Sequence, residues 1–185
     1  MKKLLIGALV GGIILFFCQF LSWTVLNWHG NAYQYTPKQD AIMSALSSQI
    51  DKDGQYMIPN LPPEATREDH EAAMKTYDGK PWALIAYHSS KNMNMTPNII
   101  RGLIVDILII GFFCALISRM NALNFIAILI SALFVGMIVF FNVPYTHHIW
   151  FQDADLMAYF WDCVVGWGLV GIWLGILYGR TGKAR

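Results

Sequence analysis

Charge is what this chain has least of. Of its 185 residues only 14% are Asp, Glu, Lys or Arg, while 56% are hydrophobic. An ordinary soluble domain carries about 25% charged residues, so the balance is that of a membrane protein. The formal net charge is +1. With no basic run and no zinc-finger spacing, no nucleic-acid partner is expected. Cysteine is scarce too. Cys18, Cys114 and Cys163 all fall in apolar stretches and no C-x-x-C occurs. That pattern argues against a disulfide framework and against a thiol–disulfide relay, and it fits three small buried hydrophobes. A phosphate-binding glycine loop, an H-E-x-x-H helix, a serine–lysine dyad in the apolar stretches and a repeat relating the two halves are likewise missing.

What the chain does have is long apolar runs. A helix crossing a bilayer needs about 20 of them in succession, and its backbone must close its own hydrogen bonds. Residues 4–26, 98–118, 123–142 and 159–179 qualify, and a four-transmembrane-helix bundle is predicted. The opening "MKK" followed by an apolar run also resembles a signal peptide. The run is too long for that, no A-x-A follows, and Phe17 precedes Cys18 where a lipoprotein signal needs a small residue. Residues 1–28 therefore read as a retained anchor.

Basic residues give the direction. Lys2 and Lys3 precede the first span, Arg119 lies between the second and third, and Arg180, Lys183 and Arg185 follow the fourth, none accompanied by an acid. Under the positive-inside rule both termini are cytoplasmic. The expected setting is a bacterial cytoplasmic (inner) membrane. Residues 29–97 then form an extracytoplasmic cap and 98–185 carry spans two to four, with a short outer loop at 143–158.

The cap reads as small and mixed, α+β. Thr36, Pro37 and Gln39 predict a capped helix start, and Thr66 with Asp69 predicts a second, ended by Gly79. "QYMI" and Trp82 to His88 pair as a two-strand ribbon. "DKDG" resembles the opening of a calcium loop, but the remaining ligands and the closing glutamate are missing.

Small residues recur at helical spacing. Gly7 and Gly11 form G-x-x-x-G in the first span, and Gly171, Gly175 and Gly179 repeat it in the fourth. Such faces let helix backbones approach closely. They predict that spans one and four pair, or that one face meets a partner subunit. The short link between spans two and three predicts an antiparallel hairpin.

Two groups of polar residues are candidate sites. "PYTHHIWFQDAD" puts His147 and His148 ahead of Asp153 and Asp155 in an aromatic stretch suited to the bilayer interface. Adjacent histidines diverge, so a metal site needs help from His29 and His88. No cofactor is predicted outright; zinc or copper would suit imidazoles with a carboxylate, if they converge. All five histidines lie outside the spans or at their rim, which argues against a haem held within the bundle.

The second group is deeper. Asp106 lies about 12 Å along its helix from Asn98, at about 1.5 Å per residue. A charge at bilayer depth costs about 2.5–3.5 kcal/mol on insertion scales, so it should face the bundle. Asp162, Gln19, Ser22 and Asn142 bring polar groups to the same third, and Arg101 is near in sequence. Together they predict an outward-opening ligand or proton pocket with Asp106 at its floor.

Two functional readings follow. One is a non-catalytic subunit or assembly factor of an inner-membrane complex, with a protein partner or a second copy in the bilayer. The other is a small metal- or proton-dependent membrane enzyme or carrier.

Overall fold

The computed structural model describes residues 2–120 and 124–179; Arg180, Lys183, Arg185 and the start of the third apolar run lie outside the described residues. Tyr35–Met93 form one compact unit and the other described residues a second.

The second unit holds four helices long and apolar enough to cross a membrane. They are α1 (Lys2–Thr24), α4 (Thr96–Ile117), a helix over Phe125–Trp150, and α7 (Leu156–Gly179). The third is compound: α5 (Phe125–Phe140) runs through a wide turn at Phe141–Tyr145 into α6 (Thr146–Trp150). Pro144 sits in that turn. Proline lacks the N–H of an α-helical bond and its ring crowds the preceding turn. The π-type turn makes room for it, with the Thr146 backbone N–H and its hydroxyl (2.7 Å) both donating to the Phe141 carbonyl. The expected outer loop at 143–158 is thus helical as far as Trp150.

Packing follows the order α4, α1, α7, α5, each in broad contact with the next. The predicted hairpin of spans two and three is corrected here: α4 and α5 share no broad face, because α1 and α7 occupy the space between them. The glycines show why. A Cβ on Gly12 would stand 2.6 Å from the Ile107 Cα, and one on Gly11 2.7 Å from Ile110 Cγ2. A Cβ on Gly7 would lie 2.9 Å from Cys114 Sγ and 3.1 Å from Leu174. Gly12 therefore admits α4, and Gly7 and Gly11 admit both α4 and α7. On α7, Gly171 meets Ala132 and Leu129, while Gly175 and Gly179 meet Phe125. Spans one and four do pair, through Leu15 against Gly166 and through Gly7 against Leu174 and Leu177, while the α7 glycines Gly171, Gly175 and Gly179 face α5.

At the centre Ile110, Cys114, Ile117, Ile128, Ala132, Val170 and Leu174 are fully buried, and Phe113 meets Trp167 edge-on at 5.6 Å. Lipid is as apolar as leucine, so dispersion at close approach holds this seam. Lys3 Nζ donates to the Leu177 carbonyl at 3.3 Å, which puts the start of α1 beside the end of α7.

The inserted unit contains α2 (Gln39–Gln49), β1 (Gly54–Ile58), α3 (Arg67–Tyr77) and β2 (Ala83–Tyr87). The strands pair antiparallel, Gly54 opposite Tyr87 and Ile58 opposite Ala83. At α3 the predicted capping box forms: the Asp69 N–H donates to Thr66 Oγ1 and the Thr66 N–H to Asp69 Oδ2. Gly79 follows the helix in the left-handed conformation, φ +69°. At α2 the box does not form. Thr36 Oγ1 accepts from the Lys38 N–H instead, a local turn that competes with capping, and the helix starts at Gln39.

Candidate functional site: a histidine held between two aspartates

Chemistry collects where α1 ends and α7 begins. After Thr24 the chain turns through Asn27, which takes φ +51°, a conformation asparagine tolerates better than most residues. The Trp28 N–H then donates to the Ser22 carbonyl at 3.1 Å. This turn carries His29 back over the helix it has just left. The sequence placed His29 at the start of the cap; it belongs instead to the bundle unit and is only 4% exposed.

The imidazole is held on four sides. Nδ1 lies 2.6 Å from Asp155 Oδ2 and Nε2 lies 2.9 Å from Asp162 Oδ2. The Trp23 indole stacks on one face, centroids 3.9 Å apart, and the Tyr159 ring stands edgewise at 4.7 Å. Asp155, Tyr159 and Asp162 recur at helical spacing across the first turns of α7, so all three address one point. Among the described residues neither carboxylate pairs with a lysine or arginine.

The second polar feature is deeper in the bundle. Gln19 Nε2 donates to Asp106 Oδ1 at 3.5 Å, joining α1 to α4. Asp106 is 3% exposed, and its Oδ2 has no hydrogen-bond partner among the described residues; nor has the buried Ser22 Oγ, one turn along α1 from Gln19. The other residues expected around this pocket stand elsewhere. Arg101 is exposed and lines a surface hollow with Asn94, Thr96, Pro97 and Ile104. Asn142 lines another with Phe134, Met137, Ile138 and Phe141.

The six candidate metal ligands divide into three sets. His29 takes Asp155. His147 Nδ1 lies 2.9 Å from Asp153 Oδ2, and the Asp153 N–H donates to His148 Nδ1 at 2.9 Å. His88 is in the inserted unit, 3.7 Å from Asp53. Among the described residues no three His, Cys, Asp or Glu are arranged to hold a metal ion. Around His29 the reason is geometric: the donors sit on opposite edges of one ring, each already engaged with it.

Sequence reasoning placed Asp162 in the pocket and His29 among the metal ligands but did not join them. The one available signal was the turn chemistry of "NWHGN" after the first span, which folds the histidine back.

The described residues thus hold four helices long and apolar enough to cross a membrane, as in a membrane protein, and a polar cluster at one end of their bundle. No family model, curated protein or solved structure matches the chain.

Proposed function

We propose that the chain is a multi-pass protein of a bacterial cytoplasmic membrane, both termini inside, serving as a non-catalytic subunit or assembly factor. The inserted unit is its extracytoplasmic contact with a partner protein. The observation that carries this reading is how little that unit buries. Across Tyr35–Met93 only Ile50 and Tyr87 are buried, and neither α2 nor α3 holds a buried side chain. Ile42, Met43, Met57, Ile58, Trp82 and Leu84 are all exposed. A two-strand ribbon with so small a core is marginal alone, and exposed apolar groups in one short segment mark a contact surface. The orientation is supported by Lys2, Lys3 and Arg119, which share one end of the bundle, remote from Asp155 and Asp162.

Gentle-detergent purification of the full chain tests this. A stable protein partner is expected to co-migrate, and to be lost when residues 35–93 are replaced by a short linker while the four helices still insert. A protein that purifies alone, with or without the inserted unit, sinks the reading. A cysteine at position 70 that labels only from the cytosol sinks the orientation.

A second reading, a proton-dependent carrier or enzyme, is favoured by Asp106: a carboxylate at membrane depth whose Oδ2 has no partner among the described residues is a functional candidate in its own right. Asp106→Asn would then assemble normally and abolish proton-dependent activity in reconstituted vesicles; an unchanged activity argues against it.

A further inference from the structure

We propose that His29, Asp155 and Asp162 form a proton-binding site that holds two protons among three groups and fastens the turn after α1 to the start of α7. The inference goes beyond the partner-binding function above and does not depend on it.

The argument is a count of hydrogens. Contacts of 2.6 and 2.9 Å between a ring nitrogen and a carboxylate oxygen are hydrogen bonds, and each needs one hydrogen. A neutral imidazole supplies one. With both aspartates ionised, its other nitrogen would turn a lone pair toward an anion, which repels. Two protons satisfy both contacts in either of two ways. The ring can be imidazolium between two carboxylates, or a neutral ring can donate to one aspartate and accept from a protonated other. The two forms differ only by a hydrogen moving along an existing hydrogen bond, and both carry a net charge of −1.

The surroundings fit such a site. His29 side-chain exposure is 1%, that of Asp155 5% and that of Asp162 14%, so water does little to replace a lost partner. The face of Trp23 suits a cation. Tyr159 on α7 interacts with both aspartates and also with Tyr33 in the turn after α1 and Asp153 ahead of α7, while Cys18 on α1 and Cys163 on α7 lie beside Asp162. None of these supplies a positive charge; of the charged residues on α4, Asp106 is engaged by Gln19 and Arg101 is exposed in a surface hollow. The bound proton is therefore the local counter-charge to two buried carboxylates. Loss of one proton leaves a buried anion facing a lone pair, and the contact that held residues 25–34 to α7 becomes repulsive. The ligand is a proton and the response is release of that turn.

The test is nitrogen NMR of histidine-labelled full-length protein in lipid nanodiscs, with His29→Gln to assign the signal. The expected result is a His29 ring with both nitrogens in proton-bearing hydrogen bonds at neutral pH. On raising the pH one proton is lost, together with a gain in mobility of a spin label at position 31. In Asp162→Asn an amide can serve either protonation state of the ring, so one of the two protons and the pH response of the label are expected to disappear. In the unmodified protein, a ring nitrogen that neither carries a proton nor accepts one from a carboxyl group, or loss of the second proton with no change at position 31, overturns the proposal. So does a folded Asp162→Asn that behaves like the parent. The unmodified protein decides the matter even if the variant fails to fold.

Discussion

The indole of Trp23 and the imidazole of His29 lie face to face, centroids 3.9 Å apart and planes within 1° of parallel. They are six positions apart in sequence, and the left-handed turn at Asn27 brings the second ring over the first. A stacked aromatic pair contributes about 0.5–1.5 kcal/mol beyond its area. Trp23→Leu is therefore expected to destabilise the bundle by about 1 kcal/mol, read as an earlier midpoint in reversible SDS unfolding. Trp28→Leu, at an exposed neighbour, is expected to leave the midpoint where it was.

Asn27 itself gives a sharper contrast. A β-branched residue at φ +51° is strained, at about 1–3 kcal/mol, whereas glycine adopts that conformation freely. Asn27→Val should loosen residues 25–34 and Asn27→Gly should not. Amide hydrogen exchange reads the difference at Trp28, whose N–H donates back to Ser22 in α1, and at Gly30 and Ala32, whose N–H groups donate within the turn.

Helix approach is tested at Gly12. Its missing Cβ would meet Ile107 backbone at 2.6 Å, which no rotamer change relieves, while at Gly102 the nearest atom is the Phe16 ring at 3.4 Å. Overpacking costs about 1–3 kcal/mol. Gly12→Ala should lose stability in that range by the same unfolding measurement, and Gly102→Ala should lose far less.

Gln19 and Asp106 are expected to respond unequally. Asp106→Asn keeps an oxygen for the Gln19 amide and removes a charge from membrane depth, so its SDS midpoint should hold or rise. Gln19→Leu leaves Asp106 without its hydrogen-bond donor among the described residues and should cost about 1–3 kcal/mol. Equal losses in the two variants would contradict this account of the pair.

Acid should act first on the inserted unit. Donation from the Thr66 backbone N–H, then from its hydroxyl, holds the Asp69 carboxyl below the usual carboxylate range; at Asp53 the Ser89 N–H leads and His88 adds to it. Both groups titrate lower in the folded chain than in the unfolded one. The stability they contribute is complete above the unfolded aspartate value, about 3.9, and is lost as pH falls through the lower folded values. Amide signals of α3 and the β1–β2 pair, followed from pH 6 to pH 2, should weaken only at the acid end. In Thr66→Ala the α3 signals should weaken at a higher pH than in the parent.

Features carried by neighbouring residues were legible in the sequence. Apolar run length found the first, second and fourth helices to within a few residues but stopped the third at Asn142, short of Trp150; Thr66 with Asp69 marked the start of α3, and aromatic and β-favouring residues marked the β1–β2 ribbon. Features that depend on distant partners were not. Glycine spacing shows that a helix has a narrow face but not which neighbour uses it, so Gly7 and Gly11 gave no hint of α4. Pro144 normally ends a helix, and nothing local announces the wide turn that absorbs it. His29 meets partners 126 and 133 positions away, a separation no local pattern encodes. Arg101 and Asn142 show the opposite error: they lie near the level of the expected pocket, but their side chains leave the bundle interior.

The order α4, α1, α7, α5 has a consequence for how the protein is made. Helix α5 leans on α7, yet it emerges from the ribosome first. Until α7 has been synthesised, α5 must wait in lipid or against the insertion machinery, and the two aspartates that grip His29 do not yet exist. Closure of the four-helix bundle therefore waits for α7, which packs against both α5 and α1.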